Sequence, residues 1–187
     1  MRSRMRLAAT ILVLAAMVVV TSTGLRTVEA GPPQGFESDA EAALTALYQK
    51  VPAAKTLGAQ AKAILIFPKI IKGGFLVGAQ YGEGELLKDG KIADYYNIAA
   101  ASYGFQAGLQ WFAYAMFFMT DSALNSLDNT AGFEVGVGPS IVVIDAGKAK
   151  TLTTTTGRDD VYAFIFGQKG LMGGVGLQGS KITKISK

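Results

Sequence analysis

Glycine recurs inside the strand-like stretches of this chain more often than ordinary strand geometry tolerates. Of 187 residues, 23 are glycine, and most fall where apolar residues alternate. The clearest case sets Tyr103, Phe105, Ala107, Leu109 and Trp111 against Gly104, Gln106, Gly108, Gln110 and Phe112. Such alternation marks a strand, because successive side chains point to opposite faces. A glycine within a strand weakens it and calls for a geometric reason: a bend, a bulge or the close approach of another backbone. Repeated so often, that demand favours a strongly curved antiparallel sheet tending toward a small barrel.

Helices precede the strands. Ser38-Asp39-Ala40-Glu41 has capping-box spacing, and Leu44, Leu47, Tyr48 and Val51 then follow at helical intervals. Pro52 opens a second short helix through Ala61. From Ile64 the period changes. Ile64 to Phe67 reads as a short strand stopped by Pro68, and Phe75 to Tyr81 alternates. Asp89-Gly90 is a hairpin turn, and Tyr114 to Met119 is a buried strand. Thr120 or Asp121 caps one short helix, Ser122 to Asp128. Further strands are expected at Phe133 to Ile144, Ala149 to Thr156, Val161 to Phe166, Leu171 to Leu177 and Lys181 to Ile185. The order predicts an α+β domain, with N-terminal helices packed on a curved, glycine-rich sheet and one short helix inserted mid-chain.

The first 30 residues have another character. Arg2, Arg4 and Arg6 precede a run from Leu7 to Val20 that is apolar or small apart from Thr10, and Val28-Glu29-Ala30 suits a signal peptidase. The run is shorter than the ~20 residues of a spanning helix, so export with cleavage after Ala30 is expected. Residues 31–37 then form a flexible lead-in, and 38–187 a single domain. Losing Arg2, Arg4, Arg6, Arg26 and Glu29 turns 18 basic and 14 acidic side chains into 14 and 13. Composition then gives no argument for a nucleic-acid partner. The chain has no cysteine and no histidine. That removes disulfides, a lipidated amino-terminal cysteine, and the commonest metal ligand and general base. No enzyme activity, cofactor or metal is expected.

One family resemblance runs through the chain. Ala61-Lys62-Ala63-Ile64-Leu65-Ile66-Phe67-Pro68, followed by Lys72-Gly73-Gly74-Phe75, resembles the opening of the SYLF domain, the family of the yeast actin-patch protein and its lipid-binding relatives. Gly82-Glu83-Gly84, Ala101 to Gly108, Met119 to Leu127 and Lys169 to Val175 continue it in order. Lys91-Ile92-Ala93-Asp94 departs from it where the family usually has tryptophan. The resemblance implies a small, non-catalytic domain associated with membrane lipids, phosphoinositides in the eukaryotic members. Actin is not an expected partner of an exported chain. A phospholipid surface in the periplasm or outer envelope is, with docking to envelope proteins as the alternative.

The residues offer one leading contact surface. Lys55, Lys62, Lys69 and Lys72 interleave with Phe67, Ile70 and Ile71, joining charges for anionic headgroups to apolar groups for the interface. The competing reading puts Phe67 and Ile70 in the core. The first helix carries Asp39 and Glu41, the wrong charge for an anionic surface, so it is expected to pack on the sheet. Lys181, Lys184 and Lys187 suggest a basic edge strand. Gly174 to Gly179 matches a dinucleotide fingerprint, but no crossover helix follows. Glu83 with Glu85, and Asp159 with Asp160, are expected to be solvent-exposed. Gln106 and Gln110 are expected to find hydrogen bonds within the sheet.

Overall fold

The computed structural model describes residues 34–128, 133–134, 138–146, 159–170 and 180–186. Pro32–Lys187 is one compact unit. It opens with α1 (Gln34–Lys50) and α2 (Pro52–Gln60). α1 starts four residues ahead of the expected Ser38 cap. Its stripe buries Ala40 and Leu47 completely and Ala43, Leu44 and Tyr48 in part. Pro52 stands in the first turn of α2, where its missing N–H costs no hydrogen bond.

Two long strands dominate the sheet. β1 (Ala63–Lys88) and β2 (Lys91–Phe118) are joined by Asp89-Gly90, whose φ values of 52° and 71° suit a type I′ turn. Pro68 does not stop β1, contrary to the sequence expectation. The register slips between Phe67, opposite Tyr114, and Ile70, opposite Phe112. Pro68 sits in that bulge, one of the few places in a sheet that tolerate a missing donor.

β1 then folds over itself. A side chain at Gly74 would collide with Val77 and Gly78. At Gly82 it would come within 2.7 Å of Ile70, and at Gly84 within 2.5 Å of the Ile66 carbonyl and the Phe67 ring. The approaches of 74 to 78, 82 to 70 and 84 to 67 trace a ribbon doubled about one corner, and they curl the sheet into a half-barrel.

After β2 come α3 (Asp121–Leu127), β3 (Phe133–Glu134), β4 (Ile141–Asp145), β5 (Val161–Gly170) and β6 (Lys181–Ile185). Thr120 is the cap of α3 and accepts the Ala123 N–H at 3.2 Å. The strand order is β3-β6-β2-β5-β4, with β1 also paired to β2. Three expectations are corrected. Phe133 to Ile144 is two strands rather than one, and they lie at opposite ends of the order, divided at Gly138 (φ 104°) and Pro139. β4 runs parallel to β5, so the sheet is antiparallel except for this pair. β6 lies between β3 and β2, not at an edge, and Lys184 pairs with Asp94 at 2.6 Å. The strands expected at Ala149 to Thr156 and Leu171 to Leu177, and the Gly174 to Gly179 fingerprint, lie outside the described residues.

Alternation explains the two cores. Leu65, Phe67, Phe112, Tyr114, Met116, Ala163 and Ile165 face inward, where α3 adds Leu124 and Leu127. Ile66, Ala113, Ala115, Phe117, Phe164 and Phe166 face outward beneath α1 and α2. Val161 to Phe166 are therefore buried at every position, as in a strand covered on both faces. Each large side chain fully buried this way contributes roughly 1.5–3 kcal/mol.

Candidate functional site

The helical cover of the outer face ends near Ala113, and beyond it Trp111 is half-buried and Leu109 exposed. Two bulges flank this point. One is the Pro68 bulge of β1. The other lies in β5, where Trp111 pairs with Lys169 and Ala113 with Phe166. Gly167 supplies the positive φ of 65° within that second bulge, a conformation that favours glycine.

The bulges and the end of α1 enclose a groove of 450 Å³. Its floor includes Trp111, Ala113, Pro68 and Phe166, and its cations are Lys50 from α1, Lys69 from β1 and Lys169 from β5. No acidic side chain lines it among the described residues. None of these lysines forms an ion pair among the described residues. Like charges without an acidic neighbour around an apolar floor have the chemistry that suits an anion with a hydrophobic body.

The seven residues singled out from sequence do not converge here. Phe67 and Ile70 are fully buried in the inner core and present no surface. Lys72 also points inward, 6% exposed, opposite Gln110 in the register. Lys62 is exposed but sits 3.5 Å from Asp121, a surface pair of small energetic weight. Lys55 is exposed on α2. Ile71 is exposed on β1, and Lys69 alone of the seven lines the groove.

Lys50, Trp111 and Lys169 were not legible as partners. The register that joins Trp111 to Lys169 depends on the β5 bulge, and Gly167 was its only trace in the sequence.

Other candidates are revised. Glu85, expected at the surface, is 1% exposed and lines a cavity of 270 Å³ beneath α1 with Glu41 and Tyr48. Asp160 is not a bare turn carboxylate, since it accepts from Thr120 and from Ser140. The Oε1 of Gln110 is buried without a hydrogen-bond partner among the described residues, so the expected satisfaction is not met there. The side chain of Gln106 lies outside what is described. Among the described residues no helix is long and apolar enough to cross a membrane, and no group of three or more acidic side chains is placed to hold a metal ion.

No curated protein matches the chain. Residues 99–187 match the family model described as Ysc84, Las17-binding protein actin regulator. That span covers β2 from Ala99 through β6 and includes Trp111 and Lys169. It agrees with the resemblance carried by the glycine-rich motifs: residues 99–187 are similar to the Ysc84, or SYLF, domain family.

Proposed function

We propose that this domain is a non-catalytic module that binds anionic phospholipid surfaces, and that it does so in the cell envelope after export. One observation carries the reading: Lys50, Lys69 and Lys169 reach a single groove from three separate elements, with no acid among its described lining residues. The match of residues 99–187 to the SYLF family model supports it, as does the basic-then-apolar amino terminus. Each basic side chain near an anionic membrane contributes about 1 kcal/mol, and the attraction falls off within a Debye length of about 10 Å at 0.1 M salt.

The description of the family model, which names a Las17-binding actin regulator, favours a second reading. Here the same bare sheet face would dock a protein.

Sedimentation of residues 31–187 with phosphatidylcholine vesicles, with and without phosphatidylglycerol, separates the two. The lipid reading expects binding only with phosphatidylglycerol, weakened by salt and abolished in a K50E/K69E/K169E variant. Absence of binding to both vesicle types at low salt would remove this reading and leave protein docking.

A further inference from the structure

The outer face carries a second feature beside the groove. Lys69 and Ile71 on β1, and Leu109 and Trp111 on β2, share that face by alternation from the buried Ile70 and Phe112. Ile71 lies opposite Trp111, and Gly73 lies opposite Leu109. A side chain at Gly73 would meet the Leu109 Cδ1 at 3.2 Å, so Leu109 leans over that glycine. On the same face of the same strand, Ala113, Ala115 and Phe117 are covered by helix. Ile71 and Leu109 instead remain 44% and 47% exposed. Two large aliphatic side chains bared beside a tryptophan and rimmed by cations are the composition of a membrane-interface contact.

We propose that Ile71, Leu109 and Trp111 enter the interfacial layer of an anionic bilayer, while Lys69, Lys169 and Lys50 stay among its headgroups. This rests on the lipid-binding reading and adds to it a mode of attachment, shallow insertion of one bare sheet face. Charge decides between a bilayer and a second copy of the chain. A two-fold pairing through this face would set its lysines against their own copies, and no acid in the described groove lining offsets them. An anionic surface meets the same charges favourably. Tryptophan suits the depth, since an amphipathic indole prefers the level of the headgroups.

Trp111 is the only tryptophan in the sequence, so its emission reports on this site without labelling. The experiment uses residues 31–187, which contain the whole compact unit, with mixed phosphatidylcholine and phosphatidylglycerol vesicles. Sedimentation measures binding, and quenching by lipids brominated along the acyl chain measures depth. Insertion requires a blue shift of Trp111 on binding and quenching by bromines near the headgroup end. It also requires an I71S/L109S variant, altered only at exposed positions, to bind about tenfold or more weakly. Vesicle binding without shift or quenching, unchanged in I71S/L109S, would overturn insertion while leaving surface binding intact. Failure to sediment at all would overturn both. A blue shift that tracks protein concentration without lipid, with dimers in solution, would assign the face to a second copy and overturn the inference.

Discussion

Thr120 donates its hydroxyl to Oδ1 of Asp160 at 3.1 Å while accepting the Ala123 N–H that starts α3. Asp160 also accepts the backbone N–H of Ser140 at 3.2 Å and its hydroxyl at 3.1 Å. The end of β2, the start of β4 and the start of β5 thus meet at one carboxylate. Chiefly the Ser140 N–H, then the two hydroxyls, hold its pKa below the ordinary carboxylate value. A depressed folded-state pKa adds stability that is complete above the unfolded value of about 3.9 and is lost as pH falls through the folded one. Urea unfolding of D160N should therefore show a lower midpoint than wild type at neutral pH, and the gap should close in acid below about pH 4. A gap independent of pH would show that the loss is one of shape and not of charge. T120A, which removes the cap, should cost about 1 kcal/mol.

Tyr114 makes a contrasting prediction. Its ring packs at 6.4 Å from Phe67 in the inner core, but its hydroxyl is buried without a hydrogen-bond partner among the described residues. Burial pushes its pKa well above the ordinary tyrosine value. A buried unpaired hydroxyl costs about 1–3 kcal/mol, so Y114F should leave stability unchanged or raise it by about 1 kcal/mol. A raised folded-state pKa means stability is complete below the unfolded value of about 10 and declines as pH rises beyond it. The advantage of Y114F should therefore grow in alkali. Thermal melts at pH 7 and above pH 10 decide it, and a clearly destabilised Y114F would mean the hydroxyl has a partner.

Much of this fold could be read from residue chemistry. The Asp89-Gly90 turn, the Thr120 cap, Pro52 at a helix start and the apolar stripe of α1 all come from local rules, because each fixes a few neighbouring dihedrals. What escaped was non-local. Pro68 looks like a strand end until the partner strand shows a bulge there. Phe133 to Ile144 reads as one strand, although the strands on the two sides of Gly138-Pro139 belong to opposite ends of the sheet. The bare face was concealed in the pattern itself. Leu109 and Trp111 alternate like core residues, and only the end of the helical cover leaves them open.

Gly84 tests the doubling of β1. A Cβ there would lie 2.5 Å from the Ile66 carbonyl oxygen and from the Phe67 Cδ1, and Phe67 is fully buried with no room to retreat. Overpacking of this kind costs about 1–3 kcal/mol, more where backbone must shift. G84A should be destabilised by at least about 2 kcal/mol in urea unfolding. Alanine at Gly90, where nothing lies within 4 Å, should lose only the cost of a positive φ, about 1 kcal/mol. Equal losses at the two sites would argue against the close crossing of the two halves of β1.

A built receptor and diffuse positive charge differ in which lysines matter. Lys50, Lys69 and Lys169 line one groove, whereas Lys55 lies on α2 outside its lining and Lys62 faces Asp121. If anionic lipid is bound at the groove, each of K50Q, K69Q and K169Q should weaken binding by about fivefold, from roughly 1 kcal/mol per basic side chain near the membrane. Their effects should nearly add, because the three side chains come from separate elements and share no ion-pair partner among the described residues, and the triple variant should lose about a hundredfold. K55Q and K62Q should stay within about twofold of wild type, since charges away from the contact are screened by salt. All five changes are single-charge neutralisations, so net charge cannot explain a difference between the sets. Equal weakening by K55Q, K62Q and the groove variants in vesicle titrations would assign binding to overall charge and remove the groove from the mechanism.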